Sequence, residues 1–148
     1  MDHALAVVGP DETTKRLVHE AGQLAAGVDA DLTLLHVTSE TEYEEAREEM
    51  ENLVGLDVTY SVTQALQGAR SFADDIGREV LADIDVEYET AGALGDRAET
   101  IVREAEDRGC DYVFVTGEER SPTGKALFGD ETQQVILNFE GVVSVVTS

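Results

Sequence analysis

The sequence predicts a three-layer α/β domain around a doubly wound, five-stranded parallel sheet, and two observations support this fold class. Five short apolar runs are separated by longer segments in which apolar residues recur at helical spacing. The runs at 4–8 and 32–37 are apolar at most positions without a helical or alternating pattern, which is typical of strands that are covered on both faces. At 148 residues, the chain has the length of one domain, and we assign 1–148 to it.

The first strand, helix and second strand predict a parallel β-α-β unit. Gly9 and Pro10 end the first apolar run, and Asp11 or Thr13 could then cap a helix. The second strand, Leu32–Val37, follows within about 35 residues of the chain start, which suits a helical crossover between parallel strands.

The second crossover is long and begins with an acidic segment. Residues 40–51 hold seven acids among twelve positions, with only a thin apolar stripe. We interpret this segment as a solvated helix or a partly mobile connection, and its role as interaction surface or hydrated face stays open. The run at 55–60 is ambiguous, and 63–82 has helical periodicity.

The remaining elements complete the alternation. Val86–Ala91 is the predicted third strand, which Gly92 to Gly95 should break before Asp96 caps a helix. Asp111–Thr116 and Val142–Val146 are the fourth and fifth strands, with one more helix between them. The fold class is thus nucleotide-binding-like (Rossmann-like), and a ligand should bind beyond the carboxyl ends of the strands at the switch in strand order.

The charge balance indicates the salt conditions in which the protein works and the kinds of partner it can bind. Ten basic residues against thirty-two acidic ones give a net charge of −22. This self-repulsion becomes tolerable where salt shortens the Debye length to roughly 3 Å, at about 1 M, so the composition predicts a halophilic protein of a high-salt cytoplasm. The same surface argues against nucleic acid and membrane partners. The amino terminus has no signal-peptide pattern, which again predicts a cytoplasmic protein.

Residue types that carry chemistry are sparse. The three histidines are scattered and the single cysteine has no partner at ligand spacing, so we expect no metal site. We expect Cys110 to be a buried structural thiol, and His36, at the end of the second strand, to be packed or hydrogen-bonded. Because no nucleophile motif is present, the sequence predicts a protein without catalytic residues.

The most informative segment is 116–131, a glycine-rich loop that leaves the fourth strand and feeds the last helix. Backbone N–H groups of such a loop can surround an anion, and Arg120 and Lys125 could grip a phosphate. Four acids in the loop oppose this and leave a formal charge of −2. The Walker pattern fails because the spacing to Gly124 and Lys125 is too long and Ala126 replaces the Mg²⁺-binding hydroxyl.

The order of elements and this loop resemble the universal stress protein family over the whole chain, including LLHV at 34–37 and GCDYVFVTG at 109–117. ATP-binding members of that family carry G-x2-G-x9-G-(S/T) after the fourth strand. In this chain Gly117 matches the first glycine, Arg120 replaces the second, and the loop is one residue short. Gly129 then matches the third glycine, and Asp130 stands in the hydroxyl position.

The resemblance also implies the other positions of a nucleotide cleft. Gly9 occupies the place of an aspartate that contacts the nucleoside, and Val37 matches the residue whose backbone contacts adenine. Thr116 and Gly117 match the ribose and phosphate side. The carboxylate of Asp130 should cap the last helix and occupy the place that a phosphate needs.

Two functions follow from the resemblance. The first is a cytoplasmic stress-response or regulatory binding protein with an altered nucleotide cleft, which would be empty, acting as a homodimer joined through the last strand and through contacts with unknown protein partners. The alternative is an ATP-binding protein, with Mg²⁺ if ATP is bound, that acts as a nucleotide sensor or slow ATPase. A nucleotide-dependent enzyme of a related α/β family is the third and least supported interpretation.

Overall fold

The computed structural model describes residues 1–54, 60–117 and 128–147. Strands and helices alternate, apart from two consecutive helices after the second strand. The elements are β1 (His3–Val7), α1 (Thr13–Val28), β2 (Asp31–Thr38), α2 (Glu40–Val54), α3 (Val62–Val80), β3 (Tyr88–Leu94), α4 (Arg97–Asp107), β4 (Tyr112–Thr116), α5 (Asp130–Asn138) and β5 (Val142–Val146).

The five strands form one parallel sheet in the order β3-β2-β1-β4-β5, which confirms the predicted doubly wound fold. The order reverses between β1 and β4, so the crevice expected in such sheets lies at the carboxyl ends of these two strands. The structure therefore places any ligand cleft beside Val7 and Thr116.

Each face of the sheet has its own apolar core. One core lies between the sheet and helices α1 and α3, around Leu17, Leu34 and Phe114. The other lies between the sheet and helices α4 and α5, around Leu35 and Ile101. Strand residues alternate between the two cores, which explains why most positions of the central strands are apolar.

The predicted third strand is wrong in its boundaries. We expected Val86–Ala91 followed by a break at Gly92, but β3 runs from Tyr88 to Leu94 and Gly92 pairs with His36 inside the sheet. A Cβ atom built on Gly92 would lie 2.4 Å from the carbonyl oxygen of Leu66 in α3. This glycine thus permits close approach of a helix to a strand and does not end the strand.

Side chains cap several helices. The carboxylate of Asp96 accepts a hydrogen bond from the Glu99 N–H (3.0 Å), as predicted. Asp11 accepts from the Thr14 N–H (3.0 Å), whereas Thr13 is the first helical residue and does not cap. Capping satisfies amide groups that have no partner inside the helix.

The acidic segment forms helix α2, and none of its residues 40–53 is buried. This confirms the prediction of a solvated helix. The ambiguous run at 55–59 lies outside the described residues.

Cys110 is buried, as expected, and burial raises the pKa of its thiol to about 11. A thiol with this pKa is almost wholly protonated at neutral pH, which is the unreactive form. Within the described ranges, no helix combines the length and the apolar composition needed to span a bilayer.

Candidate functional site

A small cavity of about 80 Å³ lies where the carboxyl ends of β1, β2 and β4 meet. Gly9, Val37 and Thr116, three of the residues predicted for the site, line it together with His36 and Glu131. The sheet topology thus brings together residues that are distant in the sequence. This is the position at which doubly wound sheets hold their ligands.

A carboxylate reaches this cavity although Gly9 lacks one. Asp11 lines the cavity, and a Cβ atom on Gly9 would lie 3.4 Å from Asp11 Oδ2. The other oxygen of Asp11 accepts from the Thr14 N–H, and the Gly9 N–H donates to the Thr14 hydroxyl (2.9 Å). The sequence pattern predicts Asp11 only as a helix cap, and its place in the cleft becomes visible only in the structure.

Backbone groups at the end of β4 are already bonded within the protein. The Gly117 N–H donates to the carbonyl of Val146 (2.8 Å), and the Thr116 carbonyl accepts from the Thr132 hydroxyl (3.0 Å). A Cβ atom on Gly117 would lie 3.0 Å from Val145 Cγ1, so the glycine also allows close packing against β5. The amide of Gly117 is therefore engaged in the sheet.

A larger cavity of about 450 Å³ lies beside the small one and shares Arg97 and Glu131 with it. The first residues of helices α2, α4 and α5 line this cavity, so three helix N-termini converge on it. Each N-terminus carries partial positive charge and would favour an anion. Here acidic side chains of the protein itself occupy those first turns, among them Glu40, Asp130 and Glu131.

Arg97 is the basic residue that the described part of the cleft contributes. It is the first residue of α4, and its guanidinium pairs with the carboxylate of Glu42 in α2. Its Nε also lies 4.0 Å from Glu131 Oε1 in α5. The three side chains are 40–44% exposed, so the ion pairs lie at the mouth of the cleft and not in the core.

His36 has a structural role at the floor of the cleft. Its Nδ1–H donates to the carbonyl of Val8 (2.7 Å), and its ring lies 4.5 Å from the ring of Phe72. The pKa of His36 is lowered, mainly by burial. The hydrogen bond to Val8 opposes this by raising the pKa, and the nearby positive charge of Arg97 lowers it further. The expectation of a packed, hydrogen-bonded histidine is confirmed.

Asp130 does not cap the last helix as we expected. Gly129 is the N-cap residue and makes no side-chain capping bond, while Asp130 is the first residue of α5 and is exposed at the larger cavity. Asp130 therefore acts on the helix end through its charge alone. Arg120, Gly124 and Lys125 lie outside the described residues.

Besides Asp11, the cleft contains Arg97 and Glu131, whose importance the sequence pattern did not reveal. Arg97 follows the cap residue Asp96 at the end of the third strand, which places it at the functional edge of the sheet. That position was the available signal. Over the described ranges, the structure has no group of three histidine, cysteine or acidic side chains arranged to hold a metal ion.

A parallel doubly wound sheet with a cleft at its β1–β4 switch defines a Rossmann-like α/β protein. The chain belongs to the universal stress protein family, whose family model matches residues 1–147. No curated protein matches the chain with significance.

Solved structures share the fold at low sequence identity. The chain is similar to the hypothetical protein MJ0577 (24% identity, 99% of this chain and 96% of the other, TM-score 0.71). It is also similar to the universal stress protein UspA from Lactobacillus plantarum (18% identity, 98% of this chain and 97% of the other, TM-score 0.71). A third similar structure is that of a universal stress protein in complex with cAMP (16% identity, 99% of this chain and 96% of the other, TM-score 0.66).

Proposed function

We propose that this chain is a non-catalytic regulatory binding protein of its family, in which the protein's own charged groups fill the mouth of the nucleotide cleft. One observation carries the proposal. Arg97 stands where three helix N-termini converge, and carboxylates of Glu42 and Glu131 already pair with it. A phosphate would have to displace them.

The cost of that displacement is sizeable. Two like charges about 4 Å apart repel by about 4 kcal/mol at an effective dielectric constant near 20, before screening by salt. Asp130 and Glu131 both lie in the first turn of α5, where a phosphate would otherwise meet the helix N-terminus. Even a few kcal/mol would remove micromolar affinity, because each 1.4 kcal/mol is about tenfold.

A second candidate function is ATP binding, with Mg²⁺, as a nucleotide sensor or slow ATPase. In its favour, a similar structure is in complex with cAMP, and the carboxylate of Asp11 lies beside Gly9, near the place of the family's nucleoside-binding aspartate. Under this hypothesis Val37, Thr116 and Gly117 would contact the nucleoside. The phosphates would lie among the residues of the glycine-rich loop, which are Arg120, Gly124, Lys125, Gly129 and Asp130.

Replacing one cleft carboxylate distinguishes the two functions. We expect an Asp130→Ser variant to bind Mg-ATP at least about tenfold more tightly than the wild type, because a charge that opposes the phosphates is gone. Calorimetric titration in molar KCl measures both affinities. The matched control is Asp107→Ser, which removes one exposed acid at the opposite end of α4 and should leave the affinity unchanged.

Each result has a definite meaning. Saturable binding by the wild type, with no gain in Asp130→Ser, contradicts the filled cleft and supports the nucleotide sensor. Binding gained by Asp130→Ser but not by Asp107→Ser supports a cleft that is closed by its own carboxylates.

We further propose that the protein is a homodimer joined through β5. This strand pairs with β4 along one edge, and Val142 is 44% exposed. An unpaired strand edge with valine side chains is suited to pairing with a second copy.

Light scattering in molar KCl should give a mass of twice the 16.0 kDa chain. A Val142→Lys variant should shift this mass toward the monomer, because lysine on a strand edge opposes pairing. Val28→Lys, at an exposed position of α1, is the matched control and should remain dimeric. A monomeric wild type would contradict the proposal.

A further inference from the structure

Among the described residues, helix α2 makes its side-chain bonds to the rest of the domain near its first turn. Helices α1, α3, α4 and α5 each have at least two buried residues, whereas none of residues 40–53 of α2 is buried. Among the described residues, the side-chain bonds from α2 to later elements come from its first turn: the Glu42 carboxylate pairs with Arg97, and the Tyr43 hydroxyl donates to the carbonyl of Tyr60 (2.8 Å). The rings of the two tyrosines also stack, with centroids 5.7 Å apart.

The two carboxylates that pair with Arg97 belong to helices that are packed against the domain to different extents. Glu131 is on α5, where Thr132 and Val135 are buried and the Thr132 hydroxyl bonds to the end of β4. Glu42 is on the exposed helix α2. Glu42 is therefore the carboxylate whose departure from the guanidinium can free a helix, because no buried side chain among residues 40–53 holds α2 in place.

We propose that the Arg97–Glu42 ion pair is an autoinhibitory latch: it holds the first turn of α2 at the cleft mouth, and an anion that takes the guanidinium of Arg97 releases α2. The inference rests on the proposed function, because it takes the cleft mouth as the place where an anion enters. It adds that occupancy of the cleft is transmitted to the acidic helix.

Electrostatics determines the direction of the change. Arg97 offsets the carboxylates of Glu40, Asp96, Asp130 and Glu131 that line the same cavity. When a ligand anion neutralises Arg97, the negative charge of residues 40–51 and the carboxylates of Asp96, Asp130 and Glu131 lose that compensation, and like charges repel. The helix should then separate more often from the domain.

Hydrogen–deuterium exchange of α2 amides in molar KCl tests the latch without any ligand. Exposed ion pairs contribute little, so we expect Glu42→Gln to speed exchange of α2 by about two- to fivefold. Glu40→Gln removes the same charge from the same turn, but Glu40 has no ion pair in the described residues and only adds to the repulsion at the cavity. This control should therefore exchange no faster than the wild type does. Equal acceleration in both variants would overturn the latch.

Arg97→Gln and the double variant make the test specific. Arg97→Gln should loosen α2 at least as much as Glu42→Gln does. Adding Glu42→Gln to Arg97→Gln should cause no further loosening, because the ion pair is already absent. Amides of α4 should stay as protected as in the wild type, which shows that the variant is folded. Additive effects of the two changes would also overturn the latch.

Inorganic pyrophosphate, titrated at constant ionic strength, tests the release. At millimolar pyrophosphate, a concentration range at which weak anion binding to a cleft filled by its own carboxylates still saturates, the wild type should show a saturable rise in α2 exchange, and Arg97→Gln should show none. If excess pyrophosphate leaves wild-type exchange unchanged, or acts equally on Arg97→Gln, the coupling is overturned. These readouts use no nucleotide, so failure of the latch and failure of the proposed function, which Asp130→Ser tests with ATP, are distinguishable.

Discussion

A Gly92→Ala variant should lose about 3 kcal/mol of unfolding free energy, which is the range for overpacking an interior that cannot yield. The added Cβ would lie 2.4 Å from the carbonyl oxygen of Leu66 and 2.7 Å from the amide nitrogen of Arg70. Both atoms belong to the backbone of α3, so the whole helix would have to move away from β3. Urea denaturation in molar KCl measures the loss.

Gly27→Ala is the matched control for this change. Gly27 lies near the end of α1, and a Cβ there would meet nothing within 4 Å. Since alanine favours a helix over glycine by up to about 1 kcal/mol, the control should be slightly more stable than the wild type. A Gly92→Ala variant as stable as the wild type would show that α3 does not pack closely on β3.

Lowering KCl from about 2 M to about 0.05 M should destabilise the protein by an amount on the order of 5 kcal/mol, comparable with the whole stability of many domains. The net charge of −22 on one domain is the reason, since carboxylates repel one another over longer distances when the Debye length grows. Urea denaturation, which adds no ions, measures the free energy of unfolding at each KCl concentration.

A charge-reduced variant separates screening from other effects of salt. Glu45, Glu48 and Glu49 are exposed on α2 and have no ion pair among the described residues, so a triple change to glutamine lowers the repulsion with little loss of contacts. This variant should depend less on KCl than the wild type. Equal stability of the wild type at both salt concentrations would refute adaptation to high salt.

The fold was largely predictable because it depends on local periodicity. Continuous apolar runs identified five strands, and helical spacing identified the crossovers. The prediction of the third strand was wrong because Gly92 looks like a local break in the sequence. Its role is to let the backbone of α3 pack closely on the strand. Only a contact between two elements shows that role.

The candidate site was predictable in part. The sequence placed Gly9, Val37 and Thr116 at strand ends, and the structure brings all three to one cavity. The sequence did not show that the amide of Gly117 is bonded to Val146, nor that α5 begins at Asp130 with Gly129 in the N-cap position. Those outcomes depend on the neighbouring strand and on the exact start of the helix.

The sequence by itself determined the fold class, the family and the acidic surface of this protein, because these follow from residue order, motif spacing and charge count. Only the tertiary structure decided what Arg97 does. Its two carboxylate partners come from helices that are far apart in the chain and meet at the β1–β4 switch. Ion pairs form between groups that are near in space, and the folding of the sheet sets that nearness.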